Sequence, residues 1–139
     1  MLVTTKGRYA MRFMVRVAQA GKDGRVSLRQ VSAEENISLK YLEQLVRPLM
    51  DAGLVRSVRG KGGGYTLARA SKDISAGDVL RAAEGTTVPV DCLALGPDLV
   101  SCPRKDECTT VKFWAGLDEV IENYVDGISL DTLAKSAKS

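Results

Sequence analysis

A mostly α-helical fold, with one small β-hairpin and a long C-terminal helix, follows from three features of the sequence. Apolar residues recur at helical spacing over Thr5–Ala20, Leu39–Ala52 and Thr109–Val125. Between the second and third of these stretches, two short extended runs flank the glycine-rich segment Gly60-Lys-Gly-Gly-Gly64. Composition is the third feature. With 45% apolar residues and a mean hydropathy of −0.06, a chain of 139 residues can close one compact core, or a small domain with an appended dimerisation element.

The elements follow in order. Ala10, Phe13, Met14, Val17 and Ala18 line one side of the first helix, with Arg8, Arg12, Arg16 and Gln19 elsewhere. Gly21-Lys-Asp-Gly24 ends it as a turn. Ser27 with Gln30 three residues on reads as a capping box opening a short helix from Leu28 to about Glu35. Asn36-Ile-Ser38 breaks that helix, and Ser38 is placed to cap the next one, Leu39–Ala52. That third helix buries Leu42, Leu45, Val46 and Leu49 and is expected to kink at Pro48, where a backbone donor is missing. Gly53 stops it. Leu54–Arg59 and Tyr65–Ala68 form the hairpin strands, and a polar linker over residues 71–75 leads to a short helix at about Ala76–Ala83. From Gly85 to Asp106, glycines and prolines interrupt every period, so a long irregular loop is expected. The last long helix carries the stripe Val111, Trp114, Leu117, Ile121 and Val125, and is expected to bury it against a second copy. Gly127 stops this helix, and Ser129 opens a final turn around Leu130–Ala134. The expected organisation is thus residues 1–70, a linker and loop at 71–108, and a dimerisation helix with its tail at 109–139.

Charge divides the chain. Residues 1–69 hold 13 Lys/Arg against 5 Asp/Glu, whereas residues 70–139 hold 7 against 12. A basic half suits a polyanion, with the acidic half facing away. No run approaches the ~18–20 apolar residues of a membrane span. The N-terminus has arginines where a signal peptide would be apolar, so a cytoplasmic protein is expected. Enzymatic chemistry is not expected, because the chain contains no histidine and no serine or cysteine has a neighbouring base.

Two short helices joined by a tight turn and followed by a glycine-tipped hairpin make a winged helix-turn-helix, which places its second helix in the DNA major groove. Ser38, Lys40, Tyr41, Glu43 and Gln44 lie in the first turns of that helix. Gln44 can pair in a bidentate way with adenine, and Glu43 can accept from cytosine N4. Tyr41 can reach DNA or can join the core beside Leu42 and Leu45. At the hairpin tip, Arg59 can enter the minor groove, while Gly60 and Lys61 let the backbone and a cation approach phosphates. A nucleotide-binding loop is the poorer reading of Gly60–Gly64, which lies between strands and lacks the Gly-Lys-Ser/Thr that leads into a helix. Cys92, Cys102 and Cys108 have nine and five residues between them; three thiolates on an irregular loop form a plausible soft-metal corner, and ordinary thiols are the alternative.

The stretch Ile37-Ser-Leu-Lys-Tyr-Leu-Glu-Gln-Leu-Val46 resembles the Rrf2 family of bacterial transcription regulators, as do Gly53-Leu-Val55, Val58-Arg-Gly-Lys-Gly-Gly-Gly-Tyr65 and the opening Thr5-Lys-Gly-Arg-Tyr-Ala10. The resemblance covers nearly the whole chain. It implies a homodimer on a near-palindromic DNA site, paired through the long C-terminal helix, with a cysteine loop near the partner's DNA-binding domain. It further implies that Cys92, Cys102 and Cys108 hold an iron–sulfur cluster, 2Fe-2S or 4Fe-4S, in a repressor responding to redox, nitric oxide or cluster status. The chain departs from the family pattern in two ways. The first cysteine interval is longer by four residues, and Val111 stands where cluster-assembly regulators carry a ligating histidine. Arg8 stands where other relatives use a carboxylate from the partner, which leaves Asp91, Asp98, Asp106, Glu107, a water or an external thiol as fourth ligand. A cluster-free regulator is the alternative, controlled by thiol oxidation, a small effector or a bound metabolic enzyme.

Overall fold

The computed structural model describes residues 3–21, 23–87, 89 and 109–136. In chain order the elements are α1 (Thr5–Gln19), α2 (Leu28–Glu35), α3 (Leu39–Asp51), β1 (Val55–Val58), β2 (Gly64–Leu67), a 3₁₀ turn (Ser71–Asp73), α4 (Ala76–Glu84), α5 (Val111–Asp126) and α6 (Leu130–Ser136). The fold is the expected one, mostly helical with an antiparallel two-stranded hairpin in the register Val55↔Leu67 to Val58↔Gly64.

Local chemistry sets most of the boundaries. Thr4, Ser27, Ser38 and Ser75 each cap a helix by accepting a hydrogen bond from a backbone N–H of the first turn. At Ser27 only half of the expected capping box forms, because the Gln30 side chain donates to Glu34 instead. The complete box lies at Ser75 and Asp78, in what reads by composition as a plain linker. Asn36 takes the left-handed conformation at φ 56° that ends α2 and turns the chain into α3. Helix α3 runs unbroken from Leu39 to Asp51 through Pro48. The bond that Pro48 cannot make belongs to the carbonyl of Gln44, a residue on the solvent side where water can satisfy it.

One core joins these elements. Ala10, Phe13, Met14 and Val17 of α1 pack with Leu42, Leu45, Val46 and Leu49 of α3, and with Val31, Leu54, Ile74 and Val79. Leu130 is fully buried in the same cluster, so α6 returns the chain to its first helix. The return is fixed by backbone bonds, Leu130 N–H to Ile74 carbonyl at 2.7 Å and Ala76 N–H to Ile128 carbonyl at 2.8 Å. At the other end of the core, the Glu84 carboxylate accepts from the Thr4 N–H and, at 2.7 Å, from its hydroxyl, which ties α4 to the start of α1.

The expected stripe on α5 divides in the structure. Val125 is buried against Ala76 and Leu80 of α4, and Val111, Trp114 and Ile121 are half-buried. Leu117, 37% exposed, instead belongs with Phe113, Val120 and Tyr124, which are 64%, 65% and 69% exposed respectively. A single stripe was read because every apolar residue near one helical face was assigned to it. The helix in fact has two apolar faces, one for its own α4 and one open to solvent.

Candidate nucleic-acid interface

The capped start of α3 presents Ser38, Lys40, Glu43 and Gln44, all exposed, while Leu42, Leu45 and Leu49 point into the core. Tyr41 is half-buried and packs against the core, the second of the two environments the sequence left open. Its ring meets Tyr9 edge-on with centroids 5.7 Å apart, and its hydroxyl lies 3.1 Å from Thr5 Oγ1. It therefore fastens α3 to the start of α1 and fixes the angle of the presented row. Arg47, one turn further on, is also exposed and pairs loosely with Asp51 at 3.6 Å.

The hairpin brings Arg59, Gly60 and Lys61 to an exposed tip. Gly60 turns there with φ 99°, and at Gly63 a Cβ would collide with the Val58 carbonyl, so the tight return requires glycine. Two bracing contacts escaped the sequence reading. Val26 forms a β-bridge to Tyr65, with N···O distances of 3.0 and 2.7 Å, adding a single-residue third strand. Arg25 donates from Nη1 to the Gly62 carbonyl at 3.4 Å. Val26 is one apolar residue between polar ones, too short to register as a strand; only its place just before the cap Ser27 hinted at it.

Ion pairs hold the frame behind this surface. Arg16 of α1 reaches Glu34 at 2.9 Å and Glu35 at 2.6 Å, and its hydrogen bond to Glu35 raises its pKa. Arg81 of α4 reaches Glu122 at 2.7 Å and also pairs with Asp126 and Asp78, and its hydrogen bond to Asp126 raises its pKa. Buried Thr87 donates to the same Glu122. The residue that leads toward the cysteine loop, the reading domain and α5 therefore meet at one carboxylate.

One turn before it, Asp118 has a buried Oδ1 with no hydrogen-bond partner among the described residues, and burial followed by the nearby Glu122 raises its pKa. A raised carboxylate costs nothing while protonated. Its penalty grows as pH rises from the unfolded-state value through the folded one. Asp118→Asn is thus expected to be more stable than the parent at neutral pH, with the difference closing as acid protonates Asp118. Denaturant titrations across the acid range check this, and a pH-independent difference contradicts it.

Cys92, Cys102 and Cys108 lie outside the described residues. Among the described residues no group of three or more His, Cys, Asp or Glu could hold a metal ion, and no helix is long and apolar enough to cross a membrane.

The sequence matches the Rrf2 family, described as iron-dependent transcriptional regulators, over residues 3–136. The chain belongs to the Rrf2 family. This Rrf2 protein is 36% identical over 134 residues to the HTH-type transcriptional regulator CymR of Bacillus subtilis, covering 96% of this chain and 90% of the relative. It is 38% identical over 136 residues to IscR of Pectobacterium atrosepticum, covering 98% and 80%. The solved structure of B. subtilis CymR, called the global cysteine regulator, superposes with a TM-score of 0.81 at 34% identity and 98% coverage of both chains. That of T. potens IscR gives 0.77 at 34% identity, covering 99% of this chain and 89% of the other. The Rrf2 chain is accordingly a winged-helix transcriptional regulator with DNA as its partner, and not an enzyme.

Proposed function

We propose that this regulator represses transcription by binding a near-palindromic operator as a homodimer, with its affinity set by the state of Cys92, Cys102 and Cys108. The observation that carries the DNA reading is the pairing of an exposed polar row on α3 with an exposed cationic hairpin tip. Helix α3 enters the major groove, where Gln44 reads adenine and Glu43 reads cytosine, with Ser38, Lys40 and Tyr41 at flanking bases and phosphates. Arg59 reaches the adjacent minor groove, and Gly60 and Lys61 approach the backbone. Selection from fragmented genomic DNA, followed by footprinting, should recover sites with two-fold symmetry and half-sites one or more helical turns apart. Protection of single asymmetric half-sites would count against the dimer.

The three cysteines supply soft donors suited to an iron–sulfur cluster. Bound there, a cluster would supply a group sensitive to oxidants and nitric oxide. The chain's own part is to hold it by thiolate and to pass a change in the loop along the Thr87–Glu122–Arg81 contacts to the reading domain. Anaerobically reconstituted protein is expected to contain iron and acid-labile sulfide, and each single Cys→Ala variant to lose most of both. Iron no higher than in the triple Cys→Ala variant would rule the cluster out. A cluster-free thiol sensor is the second reading, favoured by Val111 in the usual histidine position and by the likeness to the cysteine regulator CymR.

A further inference from the structure

The β-hairpin has two faces. Val55 and Tyr65 turn toward the core, and the alternation of strand side chains puts the cross-strand pair Arg56 and Thr66 on the other face. That outer face forms one wall of a cleft of about 690 Å³, bounded also by Ala18 at the end of α1, by residues 67–71 where the chain leaves the hairpin, and by Asp131 of α6. A smaller hollow of about 210 Å³ shares Asp23, Arg56 and Thr66 with it. Thr66 is 9% exposed and lines both hollows, yet its hydroxyl has no hydrogen-bond partner among the described residues. Buried hydroxyls ordinarily have one. Two opposite charges stand beside it. Arg56 and Asp23 are exposed, and neither side chain makes an ion pair or hydrogen bond among the described residues. The other charges of the cleft are engaged: Asp131 holds Lys135 at 2.9 Å and accepts from Ser71 at 3.3 Å, and Arg69 pairs with Asp78 at 3.6 Å. Asp23 stands on a turn closed by the Gly24 N–H bond to the Gly21 carbonyl at 3.1 Å.

We propose that this cleft binds a small zwitterion with a free ammonium and a free carboxylate, an amino acid or a di- or tripeptide. The carboxylate meets the Arg56 guanidinium, whose planar fork matches it, and the ammonium meets Asp23. The Thr66 hydroxyl supplies the buried hydrogen bond. A ligand of a single sign would leave one of the two charges facing it uncompensated. The cleft has the volume of an ordinary small-molecule site. Its occupant ties the root of the wing to the turn after α1. On the DNA reading proposed above, on which this second step rests, the ligand is an effector that favours one setting of the wing.

Isothermal titration calorimetry with free amino acids, and separately with alanine di- and tripeptides, tests the site. One of the two sets should contain a molecule that binds saturably, one per protomer. Acetylating its amine or amidating its carboxylate should weaken it by roughly tenfold or more. Asp23→Asn should remove the discrimination against the acetylated form, and Arg56→Gln that against the amide, with the melting temperature of the free protein unchanged. Thr66→Val should weaken the parent molecule while keeping both discriminations. Blocked forms that bind as tightly as the parent overturn the site, as does binding that neither charge substitution alters. Absence of binding at millimolar concentration throughout both sets overturns it too. Fluorescence anisotropy on an operator then reads the effector role, where saturating ligand should shift affinity by roughly fivefold or more. Unchanged operator affinity overturns that role and leaves the site standing, whereas a protein that binds the ligand and no DNA overturns the DNA reading alone.

Discussion

Leu117→Asp is expected to leave the protein monomeric and to weaken operator binding by roughly 10²–10⁴-fold, the factor that joining two readers on one DNA supplies. Leu117 lies on the open apolar face of α5 and is absent from the buried core, so the substitution should spare the fold of the protomer. In the homodimer proposed above its charge would sit in an apolar contact, where a desolvated and unpaired carboxylate is strongly disfavoured. Ile121→Asp should behave differently. Ile121 is half-buried on the flank of α5 next to the face that packs on α4, so stability falls along with association. Sedimentation, thermal melts and fluorescence anisotropy on one operator separate the two effects. A dimeric Leu117→Asp protein with wild-type affinity would remove α5 from the account of assembly.

The wing double variant Arg59→Ala/Lys61→Ala carries the second large effect. Loss of a good groove contact by Arg59 costs about 1–3 kcal/mol per half-site and should relax preference at the bases it meets. Lys61 acts by charge, so its removal should weaken all sequences evenly and lower the slope of log affinity against log salt by about one per wing. Both side chains are exposed and make none of the ion pairs described above, so the folded protein should not notice their loss. Arg25→Ala is the useful companion. It removes the brace on the Gly62 carbonyl, so any loss of affinity it causes beyond its own charge measures how much the wing depends on being held. Unchanged affinity in the folded double variant would exclude the wing from DNA contact.

Those parts of the fold governed by local chemistry were legible. Ser38, Asn36 and Gly53 announce their roles through residue type, and the periodic apolar residues of α1 and α3 name half of the main core cluster. Elements that depend on distant partners were less so. The Ser75–Asp78 box hides in a polar stretch, and Val26 becomes a strand only because Tyr65 lies beside it. On α5, periodicity finds apolar residues but cannot say which of two faces meets α4, so Phe113, Val120 and Tyr124 went unread while Leu117 was placed with the wrong neighbours. Tyr41 has a residue type equally suited to DNA and to packing, and only the positions of Tyr9 and Thr5 give it a packing role. The cysteines are plain in the sequence, but their spacing departs from the family pattern and their positions fall outside the described residues.

The burial of Leu130 among Phe13, Met14 and Val17 bears on the order of events during synthesis. The first helix of the protein leaves the ribosome long before the residue that seals its core. Ile74 can pair with Leu130 only after α5 has been made, because α5 lies between them in the chain. The N-terminal half therefore waits for its last core residue until α5 and the turn after it have been made. Domains that fold from the N-terminus as they emerge complete their packing early. This one does not.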